Sequence, residues 1–301
     1  GMHMSLKKSS NTIHYSAGDR VFLAADALIL GLVFLLVLYP LLFVLSSSFS
    51  GGSEISSLSL IPDQFSLEGY KAAVEYDYFW GSYWNSAVYT AVGTLVAMVV
   101  TILCAYPLSQ QNFRAGKIAM GLCVFTMYFS GGLIPTYLWI RTLGLMNSPW
   151  AFLLPSALNI YNMIVMRTYF VSLPEDIREA AQIDGCGEWR YLVQIVLPLS
   201  SAVLAVVALY YGVARWNAYF DSMIYLQDRS KLPLQNILRE IMIVNTSNLA
   251  YSNVEAQAAA EKRAELLKYS MIVIASIPML VLYPFVQKYF VKGVMIGAVK
   301  G

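Results

Sequence analysis

Between two long apolar runs the chain reads Glu179-Ala180-Ala181-Gln182-Ile183-Asp184-Gly185, continues from Cys186 to Gln194, and then reads Ile195-Val196-Leu197-Pro198. This charged, helix-compatible island is decisive because so much around it is too apolar for water. Hydrophobic residues make up 58% of the 301 and charged residues only 13%, a balance outside that of soluble globular domains. A hydrocarbon core about 30 Å thick is crossed by roughly 20 apolar helical residues. Six such stretches are present, at 27–45, 86–108, 118–140, 149–166, 196–214 and 269–286, and none contains Asp, Glu, Lys or Arg. A transmembrane barrel would alternate apolar and polar positions over strands of about ten residues; these runs are continuously apolar. The expectation is an all-α, polytopic membrane protein with six transmembrane helices. Kinks are expected at Pro40, Pro107, Gly131, Gly132, Pro135 and Pro278, which membrane helices tolerate when neighbours re-satisfy the freed carbonyls.

Gly1-Met2-His3 reads as a cloning remnant ahead of a start at Met4, with a natural start at Met2 left open. The first apolar run follows a mostly polar tail and ends in no small-residue cleavage site, so it reads as a retained span rather than a signal peptide. Lys and Arg fix the orientation. With the amino terminus in the cytoplasm, the inner segments hold Lys7, Lys8, Arg20, Arg114, Lys117, Arg167, Arg178, Arg190, Lys288, Lys292 and Lys300. The two shorter outer segments hold only Lys71 and Arg141, the long one between the fifth and sixth spans adds seven over a length at which the rule weakens, and the first outer segment carries Glu54, Asp63, Glu68, Glu75 and Asp77. Both termini are therefore expected in the cytoplasm. The chain divides into a tail, 1–26, a membrane domain, 27–290, with an inner loop at 172–198 and a long outer loop at 221–268, and a carboxy-terminal tail, 291–301.

Bond-making chemistry finds no foothold. There is no Gly-rich phosphate loop ending in Lys-Ser/Thr, no His-Glu-x-x-His and no Gly-x-Ser-x-Gly. Cys104 and Cys123 fall in apolar runs and Cys186 on the inner side, which implies neither a disulfide framework nor a metal site. The two histidines, His3 and His14, both sit in the tail. Ion-driven transporters place ionisable groups at bilayer depth, and the apolar runs have none, so transport energy is expected from a separate subunit.

The island itself predicts helix, sharp turn, helix. Ser172 can cap, Pro174 suits a first turn, and Glu175 and Asp176 complement the positive helix end. A short helix over 174–183 would stop at Gly185 and Gly187, and Glu188-Trp189-Arg190-Tyr191 would begin a second, with Pro198 at the entrance to the fifth span. Ala180 and Ala181 would let a partner approach closely, and Glu179 offers a carboxylate to a partner arginine. The tripeptide alone reads first as an ordinary surface loop.

The longer pattern is more specific. Asp184-Gly185 follows Ala180 at four and five residues, and Ile195-x-Leu197-Pro198 follows Gly185 at ten to thirteen, with Leu173-Pro174-Glu175-Asp176-Ile177-Arg178 upstream. This resembles the EAA signature of ABC-importer permeases in spacing and in its place between the fourth and fifth of six spans. Trp216-Asn217-Ala218-Tyr219-Phe220-Asp221 and the tail from Gln287 to Gly301 look like carbohydrate permeases of the maltose-transporter class, in the MalG-like group that includes the LplC, YtcP and alginate-importer permeases. The resemblance implies a type I importer permease fold in a bacterial cytoplasmic membrane. The loop would be a coupling helix seated in a cytoplasmic ATPase, with Glu179 facing the partner, Ala180 and Ala181 packing closely and Gly185 making the turn. Asp184 would cap the following turn or pair with a partner arginine. It also implies the partners: a homologous second permease, two ATPase subunits that bind ATP and Mg, and an extracytoplasmic solute-binding protein delivering a carbohydrate. No cofactor is expected in this chain.

Sugars are held by aromatic faces and by amide or hydroxyl hydrogen bonds. Pathway candidates near bilayer depth are Tyr128, Tyr137, Asn159, Tyr161, Asn162, Tyr210, Tyr211, Trp216, Asn217 and Tyr219, although such residues also pack between helices or form interfacial belts. Tyr211 and Asn217 fall on different faces of one helix, so they are not expected to line one narrow pore. Arg215 is expected to snorkel or pair with Asp221 rather than bind an anionic sugar. Asn245, Thr246, Ser247 and Asn248 read as the tip of the outer loop and a candidate contact for the binding protein. An ATPase-independent secondary transporter, or a permease for a polyamine or peptide, stays open on the residues alone.

Overall fold

The computed structural model describes residues 16–51, 64–247, 264–284 and 287. Helix α1 (Ala17–Ser48) starts on a capping box, with Ser16 Oγ accepting from the Asp19 amide at 3.2 Å and Asp19 accepting from the Ser16 amide at 2.9 Å. It therefore begins well before the span expected at 27. Helix α2 (Glu68–Val74) leads into α3 (Phe79–Ser109), which likewise starts earlier than expected. Then come α4 (Gly116–Tyr128), α5 (Leu133–Thr142), α6 (Trp150–Leu153), α7 (Ile160–Val171), α8 (Glu175–Ile183), α9 (Glu188–Leu199), α10 (Ser201–Asn217), α11 (Phe220–Tyr225), α12 (Leu234–Ser247) and α13 (Ala264–Pro284). Among the described residues the only β pairing is an isolated bridge between Ser50 and Phe65, so the all-helical expectation holds.

The third run bends where a kink is expected, while the fourth and fifth depart from expectation. Among the described residues three helices, α1, α3 and α13, are long and apolar enough to cross a bilayer unbroken. The third expected span is α4 and α5, bent by 113° where Gly132 takes a φ of +87°, a conformation glycine reaches without a Cβ penalty. The fifth is α9 and α10, bent by 82° beside Ser200. There a π turn, Leu192–Val196, runs up to Pro198, which has no amide to extend the regular ladder. The fourth run is broken outright: helix stops after Leu153, and α7 restarts only at Ile160, capped by Asn159 Oδ1 accepting from the Asn162 amide at 3.0 Å.

Helix α3 is the spine. Between Phe79 and Tyr106, which are also buried, its buried positions Ser82, Ser86, Gly93, Ala97, Thr101 and Ala105 recur at close to helical spacing and are all small. Small side chains let helix backbones approach closely where lipid supplies no hydrophobic drive between helices, and α7 and α10 pack along this stripe. One buried cluster joins α3, α7, α8, α9 and α10 through Ala97, Met163, Met166, Tyr191 and Val207. A second joins α2, α3, α10, α12 and α13 around Trp216, Ile237 and Met271. A third ties α5 and α6 to α11 through Ile140, Phe152 and Tyr225.

Candidate functional site

Helix α8 forms within one residue of its expected start, with Glu175 and Asp176 in its first turn. Ser172 is not its cap: it ends α7, and its hydroxyl donates to the Tyr169 carbonyl at 2.7 Å, leaving Pro174 at the cap position without a side-chain bond. The far end closes as a Schellman turn. The Cys186 amide donates to the Ala181 carbonyl at 2.9 Å, and the Gly185 amide to the Gln182 carbonyl at 3.0 Å. Gly185 holds φ at +72° with nothing within 4 Å of where a Cβ would sit, so backbone conformation alone calls for glycine there. The Asp184 carboxylate makes no hydrogen bond among the described residues; Asp184 is the exposed last residue of this turn and caps nothing after it. The turn needs only backbone bonds.

The two alanines part company. Ala180 is exposed beside exposed Glu179, whereas Ala181 is buried in this chain's own core with Tyr191 and Met166. Ala181 therefore secures the knuckle to its own chain and offers no surface to a partner. The exposed apolar groups are ones that the motif reading passed over: Ile183 at 87% and Trp189 at 70%. Their signal was present in the sequence as large apolar residues either side of Asp184-Gly185, on a segment otherwise polar. Across the turn, Arg178 binds Glu188 at 2.9 Å and lies over the Tyr191 ring at 6.0 Å. The other Glu188 oxygen accepts from the Tyr106 hydroxyl on α3.

A second site opens where the broken fourth run faces α10. An open cavity of 610 Å³ is lined by Ser156, Asn159, Tyr161, Asn162, Tyr210, Tyr211, Arg215 and Asp221, among others. Five of the pathway candidates thus share one cavity. Tyr161 and Tyr210 present exposed rings, while the buried Tyr211 hydroxyl is held by Thr101 Oγ1 at 2.7 Å and by the Asn159 amide at 3.0 Å. The remaining candidates lie elsewhere. Trp216 is buried, its indole N–H donating to the Ala275 carbonyl at 2.9 Å, so it belongs to the packing of α10 on α13. Asn217 lines a different cavity, beside Gln235 and Tyr283, in line with the expectation that it cannot share a pore with Tyr211. Tyr137 stacks on Tyr225, Tyr219 lies under Arg239 at 5.1 Å, and Tyr128 is 78% exposed at the end of α4. Asn245, Thr246 and Ser247 belong to the last turn of α12 rather than a loop tip; their side chains, and all of Asn248, lie outside the described residues.

Arg215 neither snorkels nor forms an ion pair with Asp221. Its guanidinium donates to Ser156 Oγ at 2.8 Å, the Ser156 carbonyl at 2.8 Å and the Leu153 carbonyl at 3.3 Å. The break in the fourth run strips those carbonyls of helical partners, and a fork of planar donors is suited to replacing them. Outside the membrane segments, the Asp228 carboxyl is held below the usual carboxylate range by hydrogen bonds from the Ser230 hydroxyl and amide. That turn is pinned by Asn147, whose Oδ1 accepts from the Gln227 and Asp228 amides. Among the described residues no group of three or more His, Cys, Asp or Glu is placed to hold a metal ion.

Residues 97–296 match the model of a family described as binding-protein-dependent transport system inner membrane component. Protein LplC of Bacillus subtilis (strain 168) is 39% identical, the match covering 97% of this chain and 99% of that one. The polygalacturonan/rhamnogalacturonan transport system permease protein YtcP of the same organism is also 39% identical, over 92% of this chain and 98% of its own length. A chain from the crystal structure of a bacterial ABC transporter involved in the import of the acidic polysaccharide alginate superposes with a TM-score of 0.83 at 32% identity, covering 93% of this chain and 100% of that one. A family match over most of the chain, and relatives this similar along nearly all of it, mean that the chain belongs to the binding-protein-dependent transport system inner membrane components, the permeases of ABC importers, which are transport subunits rather than enzymes.

Proposed function

We propose that this chain forms half of the transmembrane pathway of an ATP-driven importer for an oligosaccharide. Its partners in this reading are a homologous second permease, two cytoplasmic ATPase subunits that carry the ATP and Mg, and an extracytoplasmic solute-binding protein. Both termini face the cytoplasm, and so does the knuckle of α8 and α9, consistent with the distribution of Lys and Arg. The observation that carries the substrate class is the cavity at the broken fourth run, where the exposed rings of Tyr161 and Tyr210 stand beside the amides of Asn159 and Asn162. Flat aromatic faces next to hydrogen-bonding amides match the alternating apolar and hydroxylated surfaces of a sugar. The transported polygalacturonan, rhamnogalacturonan and alginate named for its relatives belong to the same chemical class. Glu179, Ala180 and Ile183 form the exposed face of α8 offered to the ATPase, with Gly185 setting the turn. In each cycle the binding protein docks outside, closure of the ATPases drives the knuckle, and the permease pair alternates between outward and inward openings.

The test is uptake into proteoliposomes holding the assembled importer, offered tritiated oligogalacturonides and, separately, neutral galacto-oligosaccharides with the loaded binding protein. ATP-dependent uptake of one class is expected. Tyr210→Ala and Tyr161→Ala should each lower it about tenfold, the loss of about 1.4 kcal/mol of ring contact, with ATPase subunits still co-purifying. Uptake of a polyamine or peptide in place of both sugars would overturn the reading.

A further inference from the structure

We propose that Glu188 is a latch that carries movement of the knuckle into α3, one carboxylate oxygen holding Arg178 of α8 and the other the Tyr106 hydroxyl of α3. The proposal rests on the reading that α8 receives the push of a partner ATPase. Arg178 and Glu188 stand on opposite sides of the Gly185 turn, so their 2.9 Å bond closes α8 and α9 into one unit. Arg178 is further held over the Tyr191 ring. Tyr106 is buried near the end of α3 and ties that unit to the spine. Charge-assisted bonds of this kind are short and directional, which suits a strut.

Packing around the tie argues for transmission rather than for a general brace. Ala181 and Tyr191 reach the core, yet neither α8 nor α9 packs broadly along α3. Open space adjoins the bond. A cavity of 130 Å³ reaches Phe170 and Tyr191, and one of 610 Å³ reaches Leu103, Glu188 and Trp189, with Tyr106, Gln110 and Arg178 lining both. Load crossing that gap has the Arg178–Glu188–Tyr106 contacts as its direct route. Ion pairs this exposed contribute little to stability; the Glu188 side chain is 59% exposed. Farther along the same helix, Thr101 bonds the Tyr211 hydroxyl at the cavity of the broken run, so a shift of α3 arrives at the pathway.

The experiment uses the importer assembled with its ATPase subunits in proteoliposomes. Cys104, Cys123 and Cys186 are replaced by serine, and Leu103→Cys, on the exposed side of α3, reports through its rate of maleimide labelling. The probe is ATP with orthovanadate. In the parent the labelling rate changes with nucleotide. Tyr106→Phe and Glu188→Gln should each shrink that change about fivefold or more, the scale of a modest coupling free energy. The double variant should do no worse than the poorer single one, with ATPase co-purification and the melting temperature unchanged. A full nucleotide response in Tyr106→Phe would overturn the latch while leaving the coupling surface standing. So would a response that falls only in step with the melting temperature, because that is what a plain structural contact does. A parent that neither retains ATPase nor responds to nucleotide would overturn the coupling surface and the latch together.

Discussion

Gly93 shows how one missing carbon sets up a site. A Cβ there would lie 2.7 Å from Arg215 Cδ, 2.8 Å from Arg215 Nε and 2.9 Å from Leu153 Cδ2. Arg215 can reach the carbonyls of Leu153 and Ser156 only because α3 is bare at this level, and those bonds satisfy the broken end of the fourth run. Gly93→Ala should therefore cost about 2 kcal/mol, in the range for overpacking a close contact, because the guanidinium must leave the carbonyls or α3 must move away. A lower melting temperature of the detergent-solubilised importer would show it; an unchanged one would mean that the site has slack absent from this packing. Sequence could not supply this role. An arginine at the end of an apolar run reads as snorkelling, and its true partners become available only because a helix three-dimensionally adjacent to it is interrupted.

The knuckle was legible at the scale of the element, since Pro174, the acids after it and Gly185 are local signals, and local backbone bonds decide the turn. The third run was legible as kinked near Gly132, whereas the fourth and fifth were legible as apolar but not as broken or bent. Hydropathy reports how oily a stretch is, whereas continuity depends on Gly132, Pro198 and the Asn159 cap, each of which a membrane helix can tolerate or use as a break. The side of each knuckle residue was also hidden: Ala180 and Ala181 look alike in sequence, and the helix turn between them sends one outward and one into the core. The large apolar side chain exposed on α8 is Ile183, 87% exposed. Ile183→Asp should thus leave the melting temperature within error while lowering ATPase co-purification about tenfold, the equivalent of about 1.4 kcal/mol of buried apolar contact. Retention of the ATPase at parental levels would show that this side chain lies outside the docking face.

Across the whole molecule, α3 connects what the other elements separate. Its carboxy-terminal end meets the latch at Tyr106, Thr101 one turn earlier bonds Tyr211 of the cavity, and its small-residue stripe is where α7 and α10 close on it. A change in that stripe should therefore disturb both tasks, whereas a change in the cavity wall should disturb one. Ala97 is fully buried in the cluster shared by α7 and α10, so Ala97→Leu forces the helices apart and should cost about 2 kcal/mol. The nucleotide-dependent labelling at position 103 and the uptake of sugar should then fall together. Tyr210→Ala, on an exposed ring across the cavity, should reduce uptake and leave the labelling response intact. Equal loss of both signals in Tyr210→Ala would mean that the cavity wall itself bears load. Parental uptake in Ala97→Leu would mean that the spine can yield, and that the coupling runs through helices other than α3.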